Sequence, residues 1–95
     1  MNERDTCEHA DSQYKLGLSY SVEEGEDKQA NLGRAIVCFQ AALRFYNRRL
    51  FPMKWAMTEF NLGKAYLTLL DGDRRANLEK AIVCFQAALE VRGVK

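Results

Sequence analysis

Between Trp55 and Leu70 the apolar residues recur with a helical period. Trp55, Leu62, Tyr66 and Leu69 fall at i, i+7, i+11 and i+14. Ala56, Phe60, Gly63, Leu67 and Leu70 make a neighbouring stripe, while Lys54, Thr58, Asn61 and Thr68 mark a narrower polar face. The pattern predicts an amphipathic helix with a wide apolar arc. The stretch DGD at 71–73 breaks it, because Gly72 is free to adopt positive φ. A second helical pattern follows. Leu78, Ala81, Ile82, Phe85, Ala88 and Leu89 share one face, widened by Val83, Cys84, Ala87 and Val91. Only Glu79, Lys80, Gln86, Glu90 and Arg92 are clearly polar, so this helix is expected to touch more than one neighbour.

The nine residues AIVCFQAAL occur twice, at 35–43 and again at 81–89, a shift of 46 positions. The same shift lays Leu16-Gly17 on Leu62-Gly63, Tyr20 on Tyr66, Asp27 on Asp73, and Asn31-Leu32 on Asn77-Leu78. Two copies therefore cover nearly the whole chain, about 5–50 and about 51–95, within a single domain of 1–95. The first copy reads as a helix near 5–21, an acidic connection VEEGED, and a helix near 28–49. Asp73 is preferred over Asn77 as the cap of the last helix, since Asp27 holds the same place in the first copy. Pro52 lacks an amide donor, so it ends one helix and can begin the next. Short connections make successive helices antiparallel neighbours, which gives an all-α fold of four helices in two hairpins.

Each hairpin needs a place of close approach. Gly17 and Gly63 sit in mid-helix, where glycine costs ~1 kcal/mol relative to alanine. Ala35, Ala42, Ala81 and Ala88 are the small residues on the opposing helices, and Tyr20, Phe39, Tyr66 and Phe85 can fill the space beside them. The repeated block is thus read as a packing surface. It contains no side chain able to do acid–base chemistry.

This order of small and large residues resembles the tetratricopeptide repeat. It runs Leu16-Gly17, Tyr20, Ala35, Phe39, Ala42, and again Leu62-Gly63, Tyr66, Ala81, Phe85, Ala88, with Pro52 standing outward of the family's closing proline. The period departs from the family's ~34 residues, the additional residues falling in the hairpin loops and helix ends. The stretch FPMKWAMTEFNLGKAYL is similar to long-period repeats of large bacterial, notably cyanobacterial, multi-repeat proteins, with Trp55 one turn further out. The resemblance implies a short right-handed α-solenoid whose first helices line a concave surface. The matching positions are Asp11, Tyr14, Lys15, Leu18 and Ser21, then Met57, Phe60, Asn61, Lys64 and Leu67. Of these, Tyr14, Leu18, Met57, Phe60, Lys64 and Leu67 are the candidate partner-binding residues. Leu18 and Met57 are apolar where solvent is otherwise expected, which suggests a groove for a peptide or protein. An array also leaves an apolar face at each end, and two repeats are fewer than usual, so a third repeat or a second copy of the chain is an equal explanation. The family's clamp for acidic C-terminal peptides is not expected. Its Lys and Asn positions on the first helix are Tyr14 and Leu18 here, although Asn61 matches on the next repeat.

Composition narrows the alternatives. The chain has 95 residues, 47% of them hydrophobic and 28% charged, the balance of a soluble globular protein with a modest core. No apolar run reaches the ~18 residues of a bilayer span, and the polar start MNERDTCEHADSQY has no signal-peptide pattern. Cys7, Cys38 and Cys84 form no CxxC motif or Cys/His cluster and read as free thiols in a reducing cytoplasm. Net charge is +1, yet residues 1–30 carry eight acidic and three basic side chains and residues 31–60 five basic and one acidic. Such asymmetry can steer copies of the chain head to tail.

Catalysis finds little to work with. His9 is the lone histidine, no nucleophile has a base at a recognisable spacing, and GEDKQANLG lacks the order of a phosphate-binding loop. The carboxylates of VEEGED lack the alternation of a calcium loop. The expectation is a non-enzymatic interaction scaffold with no metal and no cofactor. A single-stranded nucleic-acid site is the alternative, since Arg44, Arg48, Arg49 and Lys54 mingle with Phe45, Tyr46, Phe51 and Trp55. The near-neutral charge argues against it. Glu59 shares an arc with Trp55, Leu62 and Tyr66, and its counterpart Gln13 is also polar. A carboxylate there needs a partner, either a backbone group between helices or Arg48 or Arg49.

Overall fold

The computed structural model describes residues 3–92, with side chains described for 7–91. Four helices and no strand occur among the described residues: α1 (Glu3–Val22), α2 (Lys28–Leu43), α3 (Pro52–Thr68) and α4 (Arg74–Arg92). α1 packs along α2 and α3 along α4, and the two hairpins stack through α2 against α3, with α1 grazing α3. The molecule measures 38 × 30 × 18 Å, so it is about two helix layers thick.

The glycines explain the hairpins. A Cβ on Gly17 would lie 2.7 Å from Phe39 Cε1, and one on Gly63 would lie 2.9 Å from Phe85 Cε1. Each ring therefore rests on bare backbone. Each is also tilted against the ring from the same position of the first helix, Tyr14 on Phe39 at 5.9 Å and Phe60 on Phe85 at 5.6 Å. The loops repeat too. Gly25 and Gly72 take positive φ. Asn31 donates from Nδ2 to Glu23 Oε2, and Asn77 to the Asp71 carbonyl, so both asparagines tie helix starts to the preceding loop. Asp73 caps α4 by accepting from the Arg75 amide at 3.0 Å. Asp27 occupies the equivalent place without such a bond.

Four expectations are corrected. α2 ends at Leu43, not near 49. Beyond it Tyr46 turns inward and is buried against Ala10 and Ala42, with Phe45, Phe51 and Trp55 packed around it, while Asn47 Oδ1 accepts from the Leu50 amide. Tertiary burial of an aromatic has overridden helical continuation. Thr58 is not on a polar face. It is fully buried between the hairpins, its hydroxyl satisfied by the Lys54 carbonyl at 2.7 Å. Leu16 is not a packing residue, being 44% exposed where its counterpart Leu62 is 5% exposed. No described helix covers that side of α1, whereas α2 covers the equivalent side of α3. Finally, α4 packs on α3 alone among the described residues, which leaves Ile82, Val83 and Leu89 exposed.

The other packing positions are inside or half inside. Gly17, Ala35, Phe39, Ala42, Leu62, Gly63, Tyr66, Ala81 and Ala88 are buried, and Tyr20 and Phe85 are half-buried against the core. Polar links stitch the stack. Gln29 Oε1 accepts from the Leu70 amide at 2.7 Å, and Gln40 Nε2 donates to the Tyr66 hydroxyl at 3.1 Å.

Candidate functional site

α1 and α3 barely touch, and the space between them is a cleft of about 310 Å³. Asp11, Tyr14 and Lys15 line it from α1, Lys54, Met57 and Thr58 from α3, and Tyr46 from the connection. The cleft is thus built across both repeats. One wall is the exposed thioether of Met57 and the ring of Tyr14, which is held by Asn61 Nδ2 donating to its hydroxyl at 3.1 Å. The other is a polar cluster. Tyr46 donates its hydroxyl to Asp11 Oδ1, and Lys54 Nζ meets the same oxygen at 3.3 Å. The Lys54 ammonium also lies 5.5 Å from the Tyr46 ring centre.

These contacts set the charge states. The Tyr46 hydrogen bond, aided by Lys54, holds the Asp11 carboxyl below its ordinary range. Burial, then the Asp11 carboxylate, pushes the Tyr46 phenol well up, so it remains a donor at every physiological pH. Tyr14 is also pushed up by burial. The cleft therefore presents a neutral phenol, a carboxylate already occupied, and two lysine ammoniums beside apolar surface.

The six candidate residues do not form one groove. Tyr14 and Met57 line the main cleft. Lys64 lines a smaller hollow of about 90 Å³ with Ser21, Asn61 and Thr68. Leu18 is half-buried against the core. Phe60 lies elsewhere, beside Phe85, Ala88 and Leu89 at the far side of the second hairpin. Leu67 is exposed. Sequence reasoning missed Tyr46, which was assigned to a helix. The available signal was a loss of repeat symmetry, because Phe45-Tyr46 align with Val91-Arg92.

Glu59 is bound neither to Arg48 nor to Arg49. The buried Cys84 thiol is the polar group that acts on its carboxyl. Burial raises the Glu59 pKa, and burial with the nearby carboxylate raises Cys84 to about 12. Arg48 instead pairs with Glu90 at 2.7 Å and lies over the Trp55 ring. The basic segment therefore has its aromatics packed on one another, with Phe45 5.0 Å from Phe51. All three cysteines are free, Cys38 and Cys84 buried and Cys7 half-buried. No helix among the described residues is long and apolar enough to cross a membrane. Comparisons with protein-family models, with curated proteins and with solved structures each found no match.

Proposed function

We propose that the protein is a non-catalytic interaction scaffold of tetratricopeptide type, a right-handed two-repeat stack that holds an extended peptide in the cleft between α1 and α3. The observation that carries this reading is the cleft's composition: apolar Tyr14 and Met57 from different repeats face the ammoniums of Lys15 and Lys54. Such a site suits a segment with an apolar side chain beside a carboxylate. Met57 is a surface that adapts to varied side chains, and binding across two repeats makes capture depend on the stack. The free buried thiols fit a reducing compartment, so the reading places the protein in the cytoplasm. The nucleic-acid alternative is less supported, because the rings needed to stack bases are engaged with one another.

The test is selection of binders from a displayed random-peptide library, followed by titration. Peptides enriched in an apolar residue next to Asp or Glu are expected, with Met57→Ala and Lys54→Ala each weakening binding about tenfold, ~1.4 kcal/mol. Selected peptides that bind both variants as well as the parent chain would remove the cleft from consideration. Salt-sensitive binding of single-stranded RNA lost on Arg48→Ala with Arg49→Ala would favour the alternative.

A further inference from the structure

The second hairpin leaves open a face whose counterpart in the first hairpin is covered by α3. In the first, Leu32, Ile36 and Phe39 are buried under α3, with Leu43 half-buried beside them. Their counterparts on α4 are Leu78, Ile82, Phe85 and Leu89, and here Ile82 is 54% and Leu89 66% exposed. Exposed Met53, Phe60 and Leu67 of α3 continue the same face. A hollow of about 350 Å³ opens among Phe60, Phe85, Ala88 and Leu89. The chain therefore shows, within itself, what this surface packs against when it is covered: the apolar side of another helix.

The other end of the stack differs. The outer face of α1 carries Ser12 and Ser19 where α3 has Thr58 and Ala65, and Glu23 just after α1 stands where Leu69 follows α3; Ser12, Ser19 and Glu23 are exposed. Apolar residues are fewer at this end: Leu16 is exposed and Tyr20 half-buried on α1, and Val37 of α2 is exposed. This face is a poorer cover for a second molecule's α4 than α3 is, so the head-to-tail stacking suggested by the charge asymmetry has the weaker apolar surface. Among the described residues the α3–α4 face is the more apolar of the two hairpin faces left open, and a second copy of the same face matches it.

We infer that two copies of the chain join tail to tail, the α3–α4 face of one against the same face of the other about a two-fold axis. The contact is isologous and closes as a dimer. Antiparallel pairing of α4 about Ile82 brings Arg75 of each copy toward Glu90 of the other, so the rim charges are self-complementary. Arg75 stands where Gln29 already reaches across to the neighbouring hairpin in the first repeat. Glu90 accepts from Arg48 and keeps lone pairs for a second donor. The face is two helices wide and ~26 Å long for a 17-residue α3, on the scale of the ~800 Å² per partner of a stable interface. Peptide capture at the α1–α3 cleft and pairing at this face involve different surfaces and fail separately.

Light scattering across micromolar to millimolar concentrations tests the inference. The expected result is a transition from 10.9 kDa to twice that mass, with no larger species. Ile82→Glu with Leu89→Glu should weaken the dimer at least about tenfold while leaving the helical circular dichroism of dilute protein unchanged, since both side chains are exposed in the single chain. Leu16→Glu should leave the dimer intact. A chain that stays monomeric throughout overturns the proposal, whether or not a helix of some other protein binds the face. Open-ended growth, or association abolished by Leu16→Glu and spared by the Ile82/Leu89 pair, overturns it in favour of head-to-tail stacking.

Discussion

Ile36 and Ile82 occupy the same place in the same nine-residue sequence, yet Ile36 is 8% exposed and Ile82 54%. The first-helix positions reverse the order: Leu16 is open and Leu62 buried. Both contrasts have one cause. Each hairpin closes on itself through a glycine and a phenylalanine, but the surface between hairpins exists only where α2 meets α3. The interior repeat junction holds the core, and the two ends are what a linear stack leaves over. The ends are not alike. α1 turns serines outward, with Glu23 exposed just after it, and α4 turns isoleucine and leucine outward.

Paired substitutions at equivalent positions would break or sharpen this comparison. The largest effect is expected at the rings. Phe39→Ala should cost about 3–5 kcal/mol, the usual range for a fully buried aromatic, and Phe85→Ala roughly half of that. Urea denaturation of dilute protein measures both, and equal losses would mean that the second ring is as enclosed as the first. Next come the aliphatic pairs. Ile36→Ala and Leu62→Ala should each cost about 2–4 kcal/mol, whereas Ile82→Ala and Leu16→Ala should stay within about 0.5–1 kcal/mol. A large loss at Ile82 in monomeric protein would show the α4 face to be covered from within the chain.

Smaller differences follow at the glycines. An added methyl at Gly17 meets a ring with no freedom to move, so Gly17→Ala should cost about 1–3 kcal/mol of overpacking, offset by ~1 kcal/mol of helix propensity. Gly63→Ala should cost somewhat less, because Phe85 borders open space and can shift, although the Cys84 Cβ at 3.1 Å gives little. Thermal melts of the two variants would rank them, and the opposite ranking would place the rigid contact in the second hairpin.

The smallest effect is electrostatic. Burial raises the Glu59 pKa above the ordinary carboxyl value of 4.5, so the folded state holds that proton more tightly than the unfolded chain. Stability contributed there is present at low pH and lost as pH rises through the raised folded value. Asp11 has the opposite sign. Its lowered pKa makes stability fall as pH drops below 3.8 through the folded value. Glu59→Gln, which copies Gln13 of the first repeat, should remove the slope above pH 4.5 and leave the acid limb. Its change in midpoint at neutral pH is expected to be within about 0.5 kcal/mol. An unchanged slope would assign the pH dependence to another group.

Much of the architecture is legible in the sequence. The helical periods located four helices, the 46-residue shift paired them into equivalent hairpins, and Gly17 and Gly63 marked the close approaches. Asp73 and Gly72 were read correctly from local chemistry alone. The misreadings lie where a residue's role depends on something distant in the chain. Tyr46 leaves the helix because Asp11, Ala10 and Ala42 offer it a buried, hydrogen-bonded seat. Thr58 is a polar residue made core by the hairpin beneath it. Of the candidate groove residues, Tyr14 and Met57 line the cleft and Phe60 lies at the end face, because periodicity assigns a residue to a helix side without saying which neighbour stands there.

The sequence by itself determined where the helices run and how each hairpin closes, since period, caps and small residues act over a few turns of chain. Only the tertiary structure decided which copy of AIVCFQAAL is core and which is surface. Burial is a property of neighbours, and identical residues differ in it when one has another hairpin packed on it and the other has none among the described residues.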